Sequence, residues 1–245
     1  MAAGFSPDGQ RILTGSADGT AKVWEAAGAG QIAAWEHEEQ AADQLLAAEQ
    51  IQRTTEQQRQ MTANARDSIK QWLVLAPIAL GAGQSGTEGL DLEQLQGESE
   101  LRPKPGDARS IGGRELKWTI ADLKDCVLDF DAMLGQVTLR SVAYAVCYIQ
   151  SEEEQRGLQM LVGSQDEAKV YLNGKEVYKA ALPHGTVAVQ DTVPGIVLSA
   201  GLNTLVFKVV NETQFWKGSI ELMDALGNPV KGIKVTLDPE AKNPP

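Results

Sequence analysis

Between Val137 and Gln150 the chain reads VTLRSVAYAVCYIQ. From Val142 onward, Val142, Tyr144, Val146 and Tyr148 alternate with Ala143, Ala145, Cys147 and Ile149, so a strand here is apolar on both faces. Such a strand needs cover above and below, which places it at the centre of a sheet inside a layered β structure. Further along, Asn173-Gly174 separates the alternating runs AKVYL and KEVY. That dipeptide fits a two-residue hairpin turn, whose central residues take positive φ. GIVLSAGLNTLVFKVVN and WKGSIELMD supply three more strands, and LGNPVKGIKVTL a last turn and edge strand. GAGQSGTEG and LRPKPGD (Leu101 to Asp107) are turn-forming loops between them. Many short strands punctuated in this way predict an antiparallel sandwich or barrel.

The chain opens differently. FSPDGQRILTGSADGTAKVWE (Phe5 to Glu25) has turn chemistry at SPDG and ADGT, with Ile12 and Leu13 starting one strand and Ala21 to Trp24 forming the next. The order F-S-P-D-G, then G-S-x-D-G-T, then V-W resembles one blade of the WD-repeat β-propeller family over Phe5 to Trp35. Glu25 stands where that family usually has aspartate, and no complete second repeat follows. Propellers close with about four to eight blades. The resemblance therefore implies the last blade of a larger propeller, with upstream blades in a longer chain; the alternative is that these strands pack on the downstream domain.

From Glu36 to Gln71 the composition shifts to Ala, Gln, Glu and Arg without proline or glycine. Ala41, Leu45, Ala48, Ile51, Thr55, Met61, Ala65, Ile69 and Trp72 recur near helical spacing, which predicts a linker helix of about 30 residues. Thr and Gln interrupt its apolar stripe, so a spacer helix fits better than a coiled coil.

The turns after Trp72 resemble the galactose-binding-like jelly roll found in many carbohydrate-binding modules. The matching stretches are WLVLAPI, VGSQDEAKVYLNGKEVY (Val162 to Tyr178) and LSAGLNTLVFKVVNETQFWKGSIEL (Leu198 to Leu222). The likeness runs from about Gln71 to Pro239 and implies a β-sandwich with a ligand-binding rim. Gln165-Asp166 replaces the family's paired aspartates and Tyr171 its strand tryptophan, which puts any cation-holding role at this turn in doubt. The expected fold is mainly β: a single WD-repeat blade over 1–35, a linker helix over 36–71, an antiparallel jelly-roll β-sandwich over 72–239 and a disordered tail over 240–245.

Composition excludes several functions. Asp and Glu number 33 against 22 Lys and Arg, a net charge of -11, which repels nucleic-acid phosphates and anionic lipid. The longest apolar run, WLVLAPIAL, contains proline and is far shorter than the roughly 20 residues of a membrane helix. The opening residues lack a basic segment followed by an apolar core, so no secretory signal is expected in them. The compartment stays open, with the cytoplasm favoured. Cys126 and Cys147 have no metal-ligand spacing and read as two buried thiols.

Catalytic patterns are absent. His37 and His184 are the two histidines; H-E-E at His37 lacks the second histidine of a zinc helix, and His184 reads as a loop residue. There is no G-x-S-x-G elbow and no phosphate loop. Asp129 and Asp131 are expected on one strand face, and SEEEQ (Ser151 to Gln155) as an acidic loop, both as solvated carboxylates. No metal and no cofactor are expected.

What remains is binding. A pyranose packs its CH face on an aromatic ring while its hydroxyls seek polar partners. Phe215 and Trp216, in the loop NETQFWKG beside Asn211, Glu212 and Lys217, are the candidate rim platform, with core packing an equal alternative for Trp216. Tyr171 and Asp166 complete the candidate ligand-binding set; Tyr171 and Tyr178 read more readily as core. The expected function is non-catalytic recognition of a glycan. The alternative is a protein-interaction or structural module, and a glycoside hydrolase fragment is the least favoured reading.

Overall fold

A computed structural model describes residues 2–25, 27–28, 30–32, 35, 38, 69–180, 190–212 and 215–242. The expected linker helix over 36–71 lies almost entirely outside these residues. The chain divides into two compact units, Met1–Gln60 and Met61–Pro245.

In the first unit, β1 (Ala2–Phe5), β2 (Arg11–Gly15) and β3 (Ala21–Glu25) form an antiparallel sheet in sequence order. Both Asp-Gly pairs make the turns: Gly9 has φ +70° and Gly19 φ +82°, conformations open to glycine at no steric cost. Asp8 accepts from the Gln10 N–H, and Asp18 from the Thr20 N–H at 2.9 Å. These bonds, led by the side-chain hydroxyls of Ser6 and Thr20, hold both carboxyls below the usual range. Register places Phe5, Ile12 and Trp24 in one cross-strand row and Gly4, Leu13 and Val23 in the next, on the opposite face. Three strands are described where a propeller blade has four.

The second unit is an antiparallel sandwich. One sheet runs β12 (Lys175–Ala180), β11 (Ala168–Leu172), β14 (Gly201–Asn211), β9 (Ser141–Ser151), β4 (Gln71–Ala79) and β7 (Thr119–Asp122). In the same sheet, β16 (Ile233–Thr236) pairs with β9 over Tyr148 to Ser151, beyond the stretch taken by β4. The other sheet runs β13 (Gln190–Leu198), β10 (Gln155–Ser164), β15 (Lys217–Met223) and β8 (Val127–Asp129). A separate hairpin joins β5 (Ala108–Ile111) to β6 (Arg114–Lys117). Two short helices, α1 (Gly86–Asp91) and α2 (Phe130–Leu134), complete the described elements used below.

Strand β9 is central, and every one of its residues is buried. Its Ala143, Ala145, Cys147 and Ile149 face the core between the sheets, with Trp72, Phe130, Phe207, Trp216 and Ile220. Val142, Tyr144, Val146 and Tyr148 face a second core, on the outer side of the larger sheet. Leu80, Leu90, Leu95, Leu101 and Trp118, from the segment between β4 and β7, cover that side. The two-faced apolar pattern of β9 thus reports two separate cores.

At the β11–β12 turn Asn173 (φ +53°) and Gly174 (φ +79°) both take the left-handed region expected of the hairpin. Asn173 Oδ1 accepts from the Thr204 N–H, and its Nδ2 donates to Asn203 Oδ1 at 2.8 Å. Asn203, buried at the start of β14, also donates to the carbonyls of Ile149 and Ser199. The two asparagines that carry the jelly-roll resemblance therefore brace one another and staple β11 to β14 and β9.

Two expectations change. Asp129 and Asp131 do not share a strand face: Asp129 ends β8 and caps α2 by accepting from the Ala132 N–H, while Asp131 lies inside α2. The C-terminal stretch also stays attached beyond Pro239, since Glu240 pairs with Lys104 at 2.9 Å and the Lys242 carbonyl accepts from Gln150 Nε2. Cys126 and Cys147 are both buried and free. Burial, reinforced by Glu221, pushes the Cys126 thiol up to about 12.

Candidate functional site

The structure divides the candidate residues between surface and core: Phe215, Trp216 and Lys217 lie where β8, α2 and β15 meet, whereas Tyr171 lies on the outer face of the larger sheet. Trp216 is 1% exposed, packs on Phe130 with ring centroids 5.0 Å apart, and donates its indole N–H to the Val209 carbonyl. It forms part of the inner core and offers no rim platform. The cause lies in the two-residue period of β15: Trp216 is in phase with Ile220 and Leu222, which face inward. Phe215, one position out of phase, is 60% exposed.

Tyr171 is likewise no platform. It is buried on the outer face of the larger sheet and donates its hydroxyl to Glu98 at 2.7 Å. Asn211 is fully buried and donates to the Thr138 carbonyl at 2.7 Å. Asp166, 7% exposed, accepts from the Glu212 N–H and orders the turn before β11. Tyr178 is half-buried and donates to Asp191. Of the named set, Phe215 and Lys217 reach the surface.

Lys217 is half-exposed and pairs with Asp129 at 2.9 Å. Burial pushes the Asp129 carboxyl up, and its bonds to Lys217 and the Ala132 N–H outweigh that and hold it below the usual range. Asp131 organises the rest of this end. Its Oδ1 accepts from the Thr138 N–H at 3.0 Å and its Oδ2 from the Trp216 N–H at 3.1 Å. One carboxylate thus draws the 137–139 loop alongside Phe215. Around these segments Val137 (67% exposed), Leu139 (50%) and Met133 (39%), which the sequence did not single out, are exposed apolar side chains, as is Phe215; together they are termed the apolar ledge.

A polar cluster that sequence reasoning missed lies on the opposite face of the larger sheet. Glu98 accepts from Tyr171, from Tyr144 and from Lys208 Nζ at 2.9 Å. Lys208 Nζ also donates to the carbonyls of Leu90 and Leu92, so all three of its protons are used. Burial pulls this ammonium below the ordinary lysine range while Glu98 pulls it back up. Burial and the Glu98 charge drive both tyrosines well above their usual range. Through the Leu90 and Leu92 carbonyls the cluster fastens the α1 segment to the sheet. The available signal was Lys208 itself, a charge inside the apolar run TLVFKVV that requires a buried partner.

Among the described residues no group of three or more His, Cys, Asp or Glu side chains is placed to hold a metal, and no helix is long and apolar enough to cross a membrane.

No protein-family profile matches the chain, and no curated protein matches it. Among solved structures it is similar in part to a family 35 carbohydrate-binding module from an environmental isolate, at 15% identity and a TM-score of 0.29, over 41% of this chain and 76% of that one. It is similar to the PA14 sugar-binding domain from an RTX adhesin at 13% identity and a TM-score of 0.32, over 68% of this chain and 96% of that one. A third likeness is to the family 35 module of Cellvibrio japonicus Abf62, at 18% identity and a TM-score of 0.24, over 39% of this chain and 70% of that one.

Proposed function

We propose that the sandwich is a non-catalytic recognition module that binds a glycan at the end bearing Phe215. Phe215 carries this reading: among the described residues it is the exposed aromatic of the sandwich unit, and it lies beside an ion pair whose Lys217 ammonium and Asp129 carboxylate suit sugar hydroxyls. A ring to stack on and charged groups to hydrogen-bond are the two halves of a saccharide contact. The test is a glycan array probed with the full chain and its Phe215→Ala variant. Saturable binding that the variant loses, with its thermal midpoint unchanged, is the expected result; binding that survives the variant overturns the site.

One observation favours a second reading. Met133, Val137 and Leu139 add three exposed apolar side chains with no polar group to meet sugar hydroxyls, and such side chains fit a protein partner. On this reading Val137→Ser and Leu139→Ser abolish partner capture, whereas on the glycan reading they leave sugar binding intact. The first unit is proposed as one layer of a larger stack, because its sheet presents Phe5 and Trp24 on one face and Leu13 and Val23 on the other.

A further inference from the structure

A groove of about 560 Å³ separates the Gln94–Gln96 loop from the β5–β6 hairpin, well away in sequence from the Phe215 end. Its lining includes Gln94, Gln96, Arg109, Ser110, Leu95 and Ile111 and contains no carboxylate, although the chain carries 33 acidic residues. The Arg109 guanidinium is exposed, and among the described residues no hydrogen bond or ion pair engages it. Of the acids on or beside the hairpin, Glu115 pairs with Lys117 at 3.6 Å and Asp107 accepts from the Lys104 N–H at 2.9 Å. Gln94 Nε2 is buried and has no acceptor among the described residues. The polar side chains here are therefore rich in unused donors.

Both walls are fixed before any ligand arrives. Glu93 Oε1 accepts from the N–H groups of Gly97 and Glu98, and Glu98 is held by Tyr144, Tyr171 and Lys208, so the loop wall is fastened to the sheet. The hairpin wall is closed by a Gly112-Gly113 turn with both φ positive, and its base is tied by the Gly106 N–H to the Trp118 carbonyl at 2.8 Å. Rigid walls lower the ordering cost of binding.

We propose that this groove binds a small monocarboxylate with a hydroxyl-bearing body. The planar guanidinium of Arg109 matches a carboxylate bidentately, and one cation balances one negative charge. The Gln94 amide, after rotating toward the groove, gains its missing acceptor; Gln96 and Ser110 address hydroxyls, and Leu95 and Ile111 supply the apolar floor. The volume lies in the range of small-molecule sites.

The full chain is titrated calorimetrically at constant ionic strength with gluconate, with its uncharged counterpart sorbitol, and with inorganic phosphate. Gluconate is expected to bind saturably and sorbitol not to bind. Arg109→Gln, at an exposed and unpaired position, is expected to keep the thermal midpoint and weaken gluconate by roughly 10- to 100-fold, the effect of losing a charge-assisted pair. Phe215→Ala is expected to leave gluconate binding unchanged, which separates this site from the rim. Absence of gluconate binding, equal binding by Arg109→Gln, or phosphate binding as tightly as gluconate would each overturn the proposal.

Discussion

At the scale of single residues, the fold turns on where charges and aromatics are buried. Lys208 is fully buried and fully hydrogen-bonded, so removing its charge leaves Glu98 without its cation in the outer core. Lys208→Met is expected to cost about 3–5 kcal/mol in urea unfolding, the usual penalty for breaking a buried pair. Glu167 shows the reverse situation. Its carboxyl is buried against Gly86, its Oε2 has no hydrogen-bond partner among the described residues, and burial, with Asp166 and Glu212 nearby, raises its pKa. A carboxyl raised on folding contributes stability that is complete below the unfolded glutamate pKa and lost as pH rises through the folded value. Glu167→Gln should therefore be more stable than the parent at pH 7, with the gap closing on acidification; a gap independent of pH would refute the assignment. Trp216→Ala is expected to cost about 3–5 kcal/mol as a core truncation, which makes it unsuitable as a binding-site variant. Sequence phase already indicated this, since Trp216 shares the parity of Ile220 and Leu222, but its neighbour Phe215 drew both into one loop reading.

At the scale of elements, the strands and turns were the most legible part. The alternation of β9, the Asn173-Gly174 turn and the strand runs of β13, β14 and β15 are local patterns, and local chemistry decides them. The covering segment between β4 and β7 was not legible, because what it covers is set by contacts far away in sequence. The strand pattern favours the core for Tyr171, which is where it lies, but which of the two cores it enters depends on that covering segment. Close packing between elements gives a further expectation. A Cβ on Gly218 in β15 would lie 2.6 Å from Phe207 Cε1 in the facing sheet. Gly218→Ala should push the sheets apart and lower stability by about 1–3 kcal/mol, read from chemical denaturation. An unchanged midpoint would mean that the sheets are looser at this point than the structure has them.

At the scale of the whole molecule, the sandwich uses its resemblance-bearing residues for architecture. Asn173 and Asn203 staple strands, Asp166 orders a turn, and the ledge of Met133, Val137, Leu139 and Phe215 faces solvent. This explains why the sequence motifs specified a fold more sharply than a ligand. The ledge was invisible beforehand because Asp131 assembles it from segments some eighty positions apart, a distance shown by its bonds to Thr138 and Trp216. The most direct measurement is amide hydrogen exchange over the full chain, with and without the glycan bound most tightly on the array. Slowed exchange at Asp129 to Leu139 and Phe215 to Lys217 is the predicted result. Slowing confined to the Gln94 to Gly112 groove, or to the first unit, would contradict recognition at the Phe215 end.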